Sequence, residues 1–216
     1  MTDRFIAEFP AIEDDDLMLC QSHGVAYQKD RAHIVNYDAH YYDKCMAYEG
    51  KPIADKINAG RVGIVAKHYG RGAVLDTGIG SGEFIKSRPN TYGRDVNPVA
   101  IEWLMRNDLW AHYPSEFDAF TFWDVLEHIE TPDDVLRHIR PGAYLFASIP
   151  VFDDLTRIRD SRHYRPGEHL YYFEDRGFVR WMHMHGFHLL ERSNFETIAG
   201  RESIATFAFQ RIDKPA

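Results

Sequence analysis

The sequence is poor in cysteine, in basic charge and in long apolar stretches, and each shortage excludes a class of protein. Two cysteines, Cys20 and Cys45, are too few for a disulfide framework. Both are read as small buried residues in a reducing, cytoplasmic setting. Lys and Arg number 25 against 33 Asp and Glu, and a net charge of −8 argues against a general nucleic-acid surface, which needs clustered cations. No apolar run approaches the roughly 18 residues of a membrane span. The opening MTDRFIAEFPAIEDDD is acidic and has no apolar core, so no export signal is expected. Repeats and low-complexity tracts are absent. What remains is a chain of 216 residues, 44% apolar and 14% aromatic, enough for one globular domain with a proper core. Its 12 histidines are many for this length and can serve as bases, ligands or hydrogen-bonding groups.

Residues 1–50 read as an irregular head with a short helical component. It carries an acidic run, Glu13 to Asp16, and the tyrosine-rich patch YDAHYYDKCMAY, whose YDAHYY could close over a ligand as a lid or simply pack its rings against the domain. Residues 51–216 read as the main domain, beginning with a helix over Lys51 to His68. Strand and helix then alternate. AVLDTG is a strand and SGEFIKS a short helix that stops before Pro89. TYGRDV is a strand, and Asn97 caps the helix PVAIEWLMRN with Pro98 at its first position. FDAFTFWDV and AYLFASIPV are strands that flank the partly helical LEHIETPDDVLRHIR. Residues 153–172 form an irregular insertion, EDRGFVRWMHMHGF is a helix, and FHLLERSNFE and SIATFAFQRI make an antiparallel hairpin. The pattern is that of a doubly wound α/β fold with a mostly parallel sheet, whose ligand sits at the C-terminal strand ends.

VLDTGIGSGEF places Gly78, Gly80 and Gly82 directly after Asp76. A dinucleotide fingerprint, G-x-G-x-x-G, would need its third glycine where Glu83 stands. A carboxylate at the end of the first strand also repels a pyrophosphate. It favours a cationic ligand that carries no phosphate. Asp95, at the end of the second strand and 17 residues beyond Gly78, can accept hydrogen bonds from both hydroxyls of a ribose. The glycines let the backbone approach such a nucleoside closely.

VLDTGIGSGEF, GRDVNP and FDAFTFWDVLEHI, in that order, resemble motif I, the ribose acid and motif IV of class I S-adenosylmethionine-dependent methyltransferases. FWDVLEHI, EHLYYF and the GF before the closing hairpin are most similar to the branch with ubiquinone-type and sugar O-methyltransferases. The resemblance covers about residues 70–211. It implies a Rossmann-like, seven-stranded sheet with a reversed last strand, and S-adenosylmethionine as cofactor, leaving as S-adenosylhomocysteine. It implies that Asp76, Gly78, Gly80 and Gly82 line the methionine end and that Asp95 binds the ribose. Val96 and Asn97 would lie near the adenosine, and Trp123 and Asp124 would form the wall behind the methyl group. The stretch from Asn107 to Phe117 is too short for the family's third strand, adenine contact and helix; Asp108 and Leu109 stand nearest to that contact.

A hydroxyl acceptor needs a base, and histidine suits neutral pH. His169, flanked by Glu168, is the first candidate and His128 the second. The insertion adds Arg157, Arg159, Arg162, Arg165, His163 and Tyr171, and its arginines suggest an anionic small-molecule acceptor such as a phosphorylated or nucleotide-linked sugar. Pairing of those arginines with neighbouring aspartates is the plainer alternative. No metal is expected. A zinc knuckle on Cys20 and His23, completed by Cys45 and His33 or His40, is the alternative there. A nucleic-acid base methyltransferase, a silent cofactor-binding protein and a nicotinamide oxidoreductase stay open as further readings. Monomer and homodimer are equally compatible with the sequence.

Overall fold

The computed structural model describes residues 12–14, 16–29 and 35–212. Residues 1–11 (the bulk of the acidic opening), Asp15 of the acidic run and His33 of the zinc alternative lie outside them.

The central sheet is built from the alternating segments. β4 (Val74–Thr77), β5 (Thr91–Arg94), β6 (Ala119–Trp123) and β7 (Tyr144–Phe152) are parallel, in the order β5-β4-β6-β7. β10 (Ile204–Arg211) pairs antiparallel with β7 on one side and with β9 (Phe187–Ser193) on the other. The C-terminal hairpin is therefore present, and its second strand is inserted between the first and the parallel set. The third strand of the resemblance shrinks to one bridge, Gly93 to Trp110. Helix α4 (Pro98–Arg106) ends at Asn107, Asp108 takes a left-handed φ of 56°, and Gly93 spans both neighbours through Leu109 O (2.8 Å) and Ala111 N (3.0 Å). Too few residues remain before β6 to extend the pairing.

Strands buried on both faces read as continuous apolar runs. Along β7, Leu145, Ala147 and Ile149 face one core with Phe178, Trp181 and Met182 of α6 (Asp175–Met184). Phe146 faces the other core, with Ile64 and Val65 of α2 (Pro52–His68). Trp181, Phe178, Phe207 and Phe209 are fully buried, at about 1.5–3 kcal/mol of apolar burial each. Gly60 and Gly63 do not break α2, because tertiary burial outweighs their propensity cost of about 1 kcal/mol each.

The head differs most from its sequence reading. In place of an irregular segment, it forms β1 (Ile12–Asp14), β2 (Leu17–Cys20) and β3 (Val25–Gln28), an antiparallel meander, followed by α1 (Ala39–Met46). β3 pairs with β8 (Tyr171–Glu174), which ends the insertion and lies parallel to the end of β7. The meander thus prolongs the sheet to ten strands. Leu17, Leu19 and Ala26 pack there on Tyr172, Leu155 and Ile158. Short polar-flanked strands of this kind carry almost no periodic signal, and the partner that stabilises them is about 145 residues away. Among the described residues, no helix is long and apolar enough to cross a membrane.

Candidate active site

The C-terminal ends of β4, β5, β6 and β7 open into a cavity of about 1950 Å³. Pockets for a single small ligand measure about 300–1,000 Å³, so this space is large enough for two.

At one end lies the glycine turn. Asp76 is 1% exposed, and its Oδ1 accepts from Thr121 Oγ1 at 2.6 Å. Burial pushes its pKa up to about 7, against the Thr121 hydrogen bond and the positive Arg61, which both lower it. Gly78, Gly80 and Gly82 all have positive φ, 72°, 53° and 75°, which any other residue adopts only under strain. A Cβ on Gly78 would lie 2.6 Å from Val125 Cγ2. Gly82 stands outside the cavity: it opens helix α3 (Glu83–Ser87), and a Cβ there would press on Trp103 at 3.2 Å. Glu83, in place of a third dinucleotide glycine, accepts from Gly50 N (3.0 Å) and Asn58 Nδ2 (3.2 Å), fastening the turn to the N-terminal helices.

Asp95 accepts from Ile79 N and from Asn97 N, each at 2.8 Å, so it locks the turn to the end of β5. Burial raises its pKa while these backbone donors lower it. Val96 lines the cavity and is 74% exposed. Asn97 caps α4 through Val99 N (2.9 Å) and donates to Asp38 O (2.7 Å), tying the head to the site. Asp108 lies exposed at the end of α4, outside the cavity. The short connection turns it away, and Trp110, with the Arg94 guanidinium 5.2 Å from its ring, lines the cavity there with Ser115.

Behind the cavity, Trp123 is buried with Arg61 stacked 4.9 Å from its ring. Asp124 bonds Arg61 (3.1 Å) and Arg201 (2.8 and 2.9 Å), whose charges hold its carboxyl well below the usual range despite burial. Glu196, fully buried, takes the other sides of both arginines and a hydroxyl bond from Ser148. Asp124 is thus a fixed, neutralised wall. Arg61, Arg201 and Glu196 carry no sequence signal, since no motif links the helix before β4 to the segment before β10.

At the far end stand the histidines. His128 and His169 meet edge to face with ring centroids 4.7 Å apart. Burial lowers both pKa values, that of His169 to about 3, helped by His128 and Arg165, so both are neutral at pH 7. His128 Nδ1 donates to Glu168 O at 2.8 Å, leaving Nε2 as the basic nitrogen. Tyr37 stacks edge-on to His128, and Tyr41 donates to Glu168 Oε1 at 3.3 Å, so the tyrosine patch does border the site.

The insertion divides. His163 and Arg165 line the cavity; His163 Nε2 bonds Glu202 O (2.8 Å) and Arg165 pairs with Glu168 (3.2 Å). Arg159 is drawn away to Asp16 (2.8 Å), and Arg157 and Arg162 to Asp160 and Glu202. Tyr171 is a core residue of β8, its hydroxyl on Glu130 O, outside the cavity. Cys20 Sγ lies 3.0 Å from His23 Nδ1, and neither cysteine is in a disulfide. Cys45 lines the cavity, and among the described residues the group of ligand-type side chains close enough to share an ion is Glu127, His128 and His169.

The residues fit an S-adenosyl cofactor: acids at two neighbouring strand ends, a half-buried glycine backbone between them, and cavity arginines of which Arg61, Arg165 and Arg201 are already paired with carboxylates. The family described as "Methyltransferase domain" matches residues 25–192. No curated protein matches the sequence. Among solved structures, the chain is similar to the 1,6-didemethyltoxoflavin-N1-methyltransferase of Burkholderia thailandensis, with 14% identity, 95% of this chain and 100% of that one covered, and a TM-score of 0.52. The magnesium protoporphyrin IX methyltransferase of Synechocystis PCC 6803 shares 15% identity over 81% of this chain and 96% of that one, at a TM-score of 0.56. The N-methyltransferase NodS of Bradyrhizobium japonicum WM9 shares 16% over 85% and 100%, at 0.54. At such identities the likeness is one of fold; the family match covers more than half of the chain. Motif order, strand topology and family match agree, and the chain belongs to the class I S-adenosylmethionine-dependent methyltransferases.

Proposed function

We propose that the protein transfers a methyl group from S-adenosylmethionine to a hydroxyl oxygen of a small-molecule acceptor bound between the glycine turn and the His128–His169 pair. The observation that carries this reading is the shared cavity, which has the cofactor-type acids at one end and two neutral, buried imidazoles at the other. When bound, the cofactor supplies a methyl carbon already activated on a cationic sulfur. Asp76 would hold the ammonium of its methionine end, with the backbone of Gly78 to Gly80 beside it. Asp95 would receive the ribose hydroxyls, and Val96, Asn97 and Trp110 would border the adenine. The residues after that need only orient the acceptor and take its proton. His128 Nε2 has its lone pair available because Nδ1 is committed to Glu168 O. His163 and Arg165 border the acceptor end; an anionic acceptor would replace Glu168 on Arg165. The N-terminal tyrosines Tyr37 and Tyr41 close that end from above.

Incubation with methyl-labelled S-adenosylmethionine and a panel of sugar nucleotides, phenols, quinol precursors and amines, read by mass spectrometry, tests the reading. Label on a hydroxyl oxygen supports it; label on nitrogen alone overturns the oxygen assignment, and no transfer to any panel member despite cofactor binding favours a silent cofactor-binding protein.

A further inference from the structure

Among the described residues, Glu127 is a carboxylate buried, at 1% exposure, with neither oxygen hydrogen-bonded. An unsatisfied buried polar group costs about 1–3 kcal/mol, and more for a charged one. Folds rarely carry such a group without a reason, such as a catalytic role or a bound water or ion. Beside it, His169 is 4% exposed with Nδ1 also unpartnered. His128 Nε2 faces Glu127 Oε1 at 3.9 Å, beyond a hydrogen bond. One ligand atom from each of the three lies within 4.8 Å of the others, and all three line the acceptor end of the cavity.

We propose that Glu127, His128 and His169 bind a divalent transition-metal ion, such as Zn²⁺ or Mn²⁺, whose open positions take oxygen atoms of the acceptor. Two imidazoles and one carboxylate suit such ions better than Mg²⁺ or Ca²⁺, which prefer all-oxygen shells. Three protein ligands leave coordination positions open, as sites that act on a substrate require. The outer shell is already in place: a ligating histidine donates its other N–H to a carbonyl or carboxylate, and His128 Nδ1 does so to Glu168 O at 2.8 Å. The spacing needs little adjustment. Ligands at about 2.1 Å from an ion stand at most about 4.2 Å apart. The Glu127–His128 separation of 3.9 Å already meets that limit, and the 4.8 Å spread closes by less than about 1 Å of side-chain movement.

The inference rests on the proposed transfer to oxygen and alters one part of it. With the ion present, the lone pairs of both histidines are spent on coordination, and neither acts as the base. The ion holds an acceptor oxygen in its ionised form, the proton passing to water. It also restricts the acceptor to molecules that present oxygen ligands at the cavity end.

Calorimetric titration of the chelator-treated full chain with ZnCl₂ tests the site, with CoCl₂ absorption as a second reading. The expected result is one ion per chain with visible Co²⁺ ligand-field bands. Glu127→Gln and His169→Ala each weaken binding at least ~10-fold, while Cys20→Ser leaves it unchanged. His128→Asn serves if either variant fails to fold. Absence of saturable binding overturns the proposal. So does binding that survives these variants, or that disappears with Cys20→Ser. S-adenosylhomocysteine titrated into the same metal-free chain separates the two claims. If it binds while Zn²⁺ does not, the metal site alone falls. If it does not bind, the cofactor reading falls whatever Zn²⁺ does.

Discussion

Single carboxylates in this protein sit in three different electrostatic settings, and each has a different consequence. Asp76 has lost water and gained one hydroxyl donor, which leaves its pKa near 7. In its proposed role Asp76 binds the cofactor as a carboxylate, so affinity should rise as pH climbs from ~5 to ~7, with proton release on binding below that. Isothermal titration in buffers of different ionisation enthalpy measures both, and a flat profile would count against Asp76 as the ammonium partner. Asp124 lies at the other extreme, clamped by Arg61 and Arg201 together with Glu196. Removing one cation from a buried network leaves the remaining charges uncompensated, so Arg201→Met should cost ~3–5 kcal/mol of stability by urea denaturation; a loss below ~1 kcal/mol would mean the network is surface-like. Glu127 has no cation bonded to it, and the more distant Arg201 offsets its burial only in part. Burial, with the Asp124 and Glu168 charges, raises its pKa well above the ordinary value. The native state then binds a proton that the unfolded chain releases above about pH 4.5, so this group's contribution to stability falls as pH rises. Glu127→Gln, in chelator, should therefore be more stable than the parent, by a margin that grows between pH ~5 and ~7.5. A margin that shrinks with pH contradicts that account.

At the scale of elements, the glycine turn carries the sharpest test. Gly78 and Gly80 share a left-handed φ, at a conformational cost of about 1–2 kcal/mol for alanine at either place. They differ in space: a Cβ on Gly78 meets Val125, whereas one on Gly80 meets nothing within 4 Å. Gly78→Ala should therefore melt lower than Gly80→Ala, and Gly80→Ala should lose cofactor affinity while keeping most of its stability. Equal melting temperatures would contradict the packing argument. The same turn shows what sequence can reveal. Asp76, Asp95 and the Asn97 cap were legible because each is the end of an element with strong local chemistry. Asp108 lies outside the cavity because the chain between α4 and β6 is too short to carry a strand and makes a single bridge at Trp110. Gly82 was grouped with the cavity glycines by spacing, but its φ serves the start of α3 and the close approach of Trp103.

For the whole molecule, the parallel sheet and the closing hairpin were legible from alternation of apolar segments, since a sheet covered on both faces needs nearly continuous apolar strands. The N-terminal meander was not, because its strands are three to four residues long and exist only against β8. Gly177 on α6 makes that docking possible: a Cβ there would lie 1.8 Å from Gly24 O. The charge network behind Trp123 joins residues from distant parts of the chain that no local pattern announces, and Glu127 escapes notice beside His128 and His169, which the sequence does single out. What the fold achieves is to bring two acidic strand ends, a glycine backbone and a neutral histidine pair around one space. Calorimetry with S-adenosylhomocysteine, run beside NAD on the parent chain and on Asp76→Asn and Asp95→Asn, tests that arrangement most directly. The account predicts one nucleoside bound per chain, at least ~10-fold weaker in each variant, and no heat from NAD. Binding of NAD, or S-adenosylhomocysteine affinity indifferent to both substitutions, would contradict it.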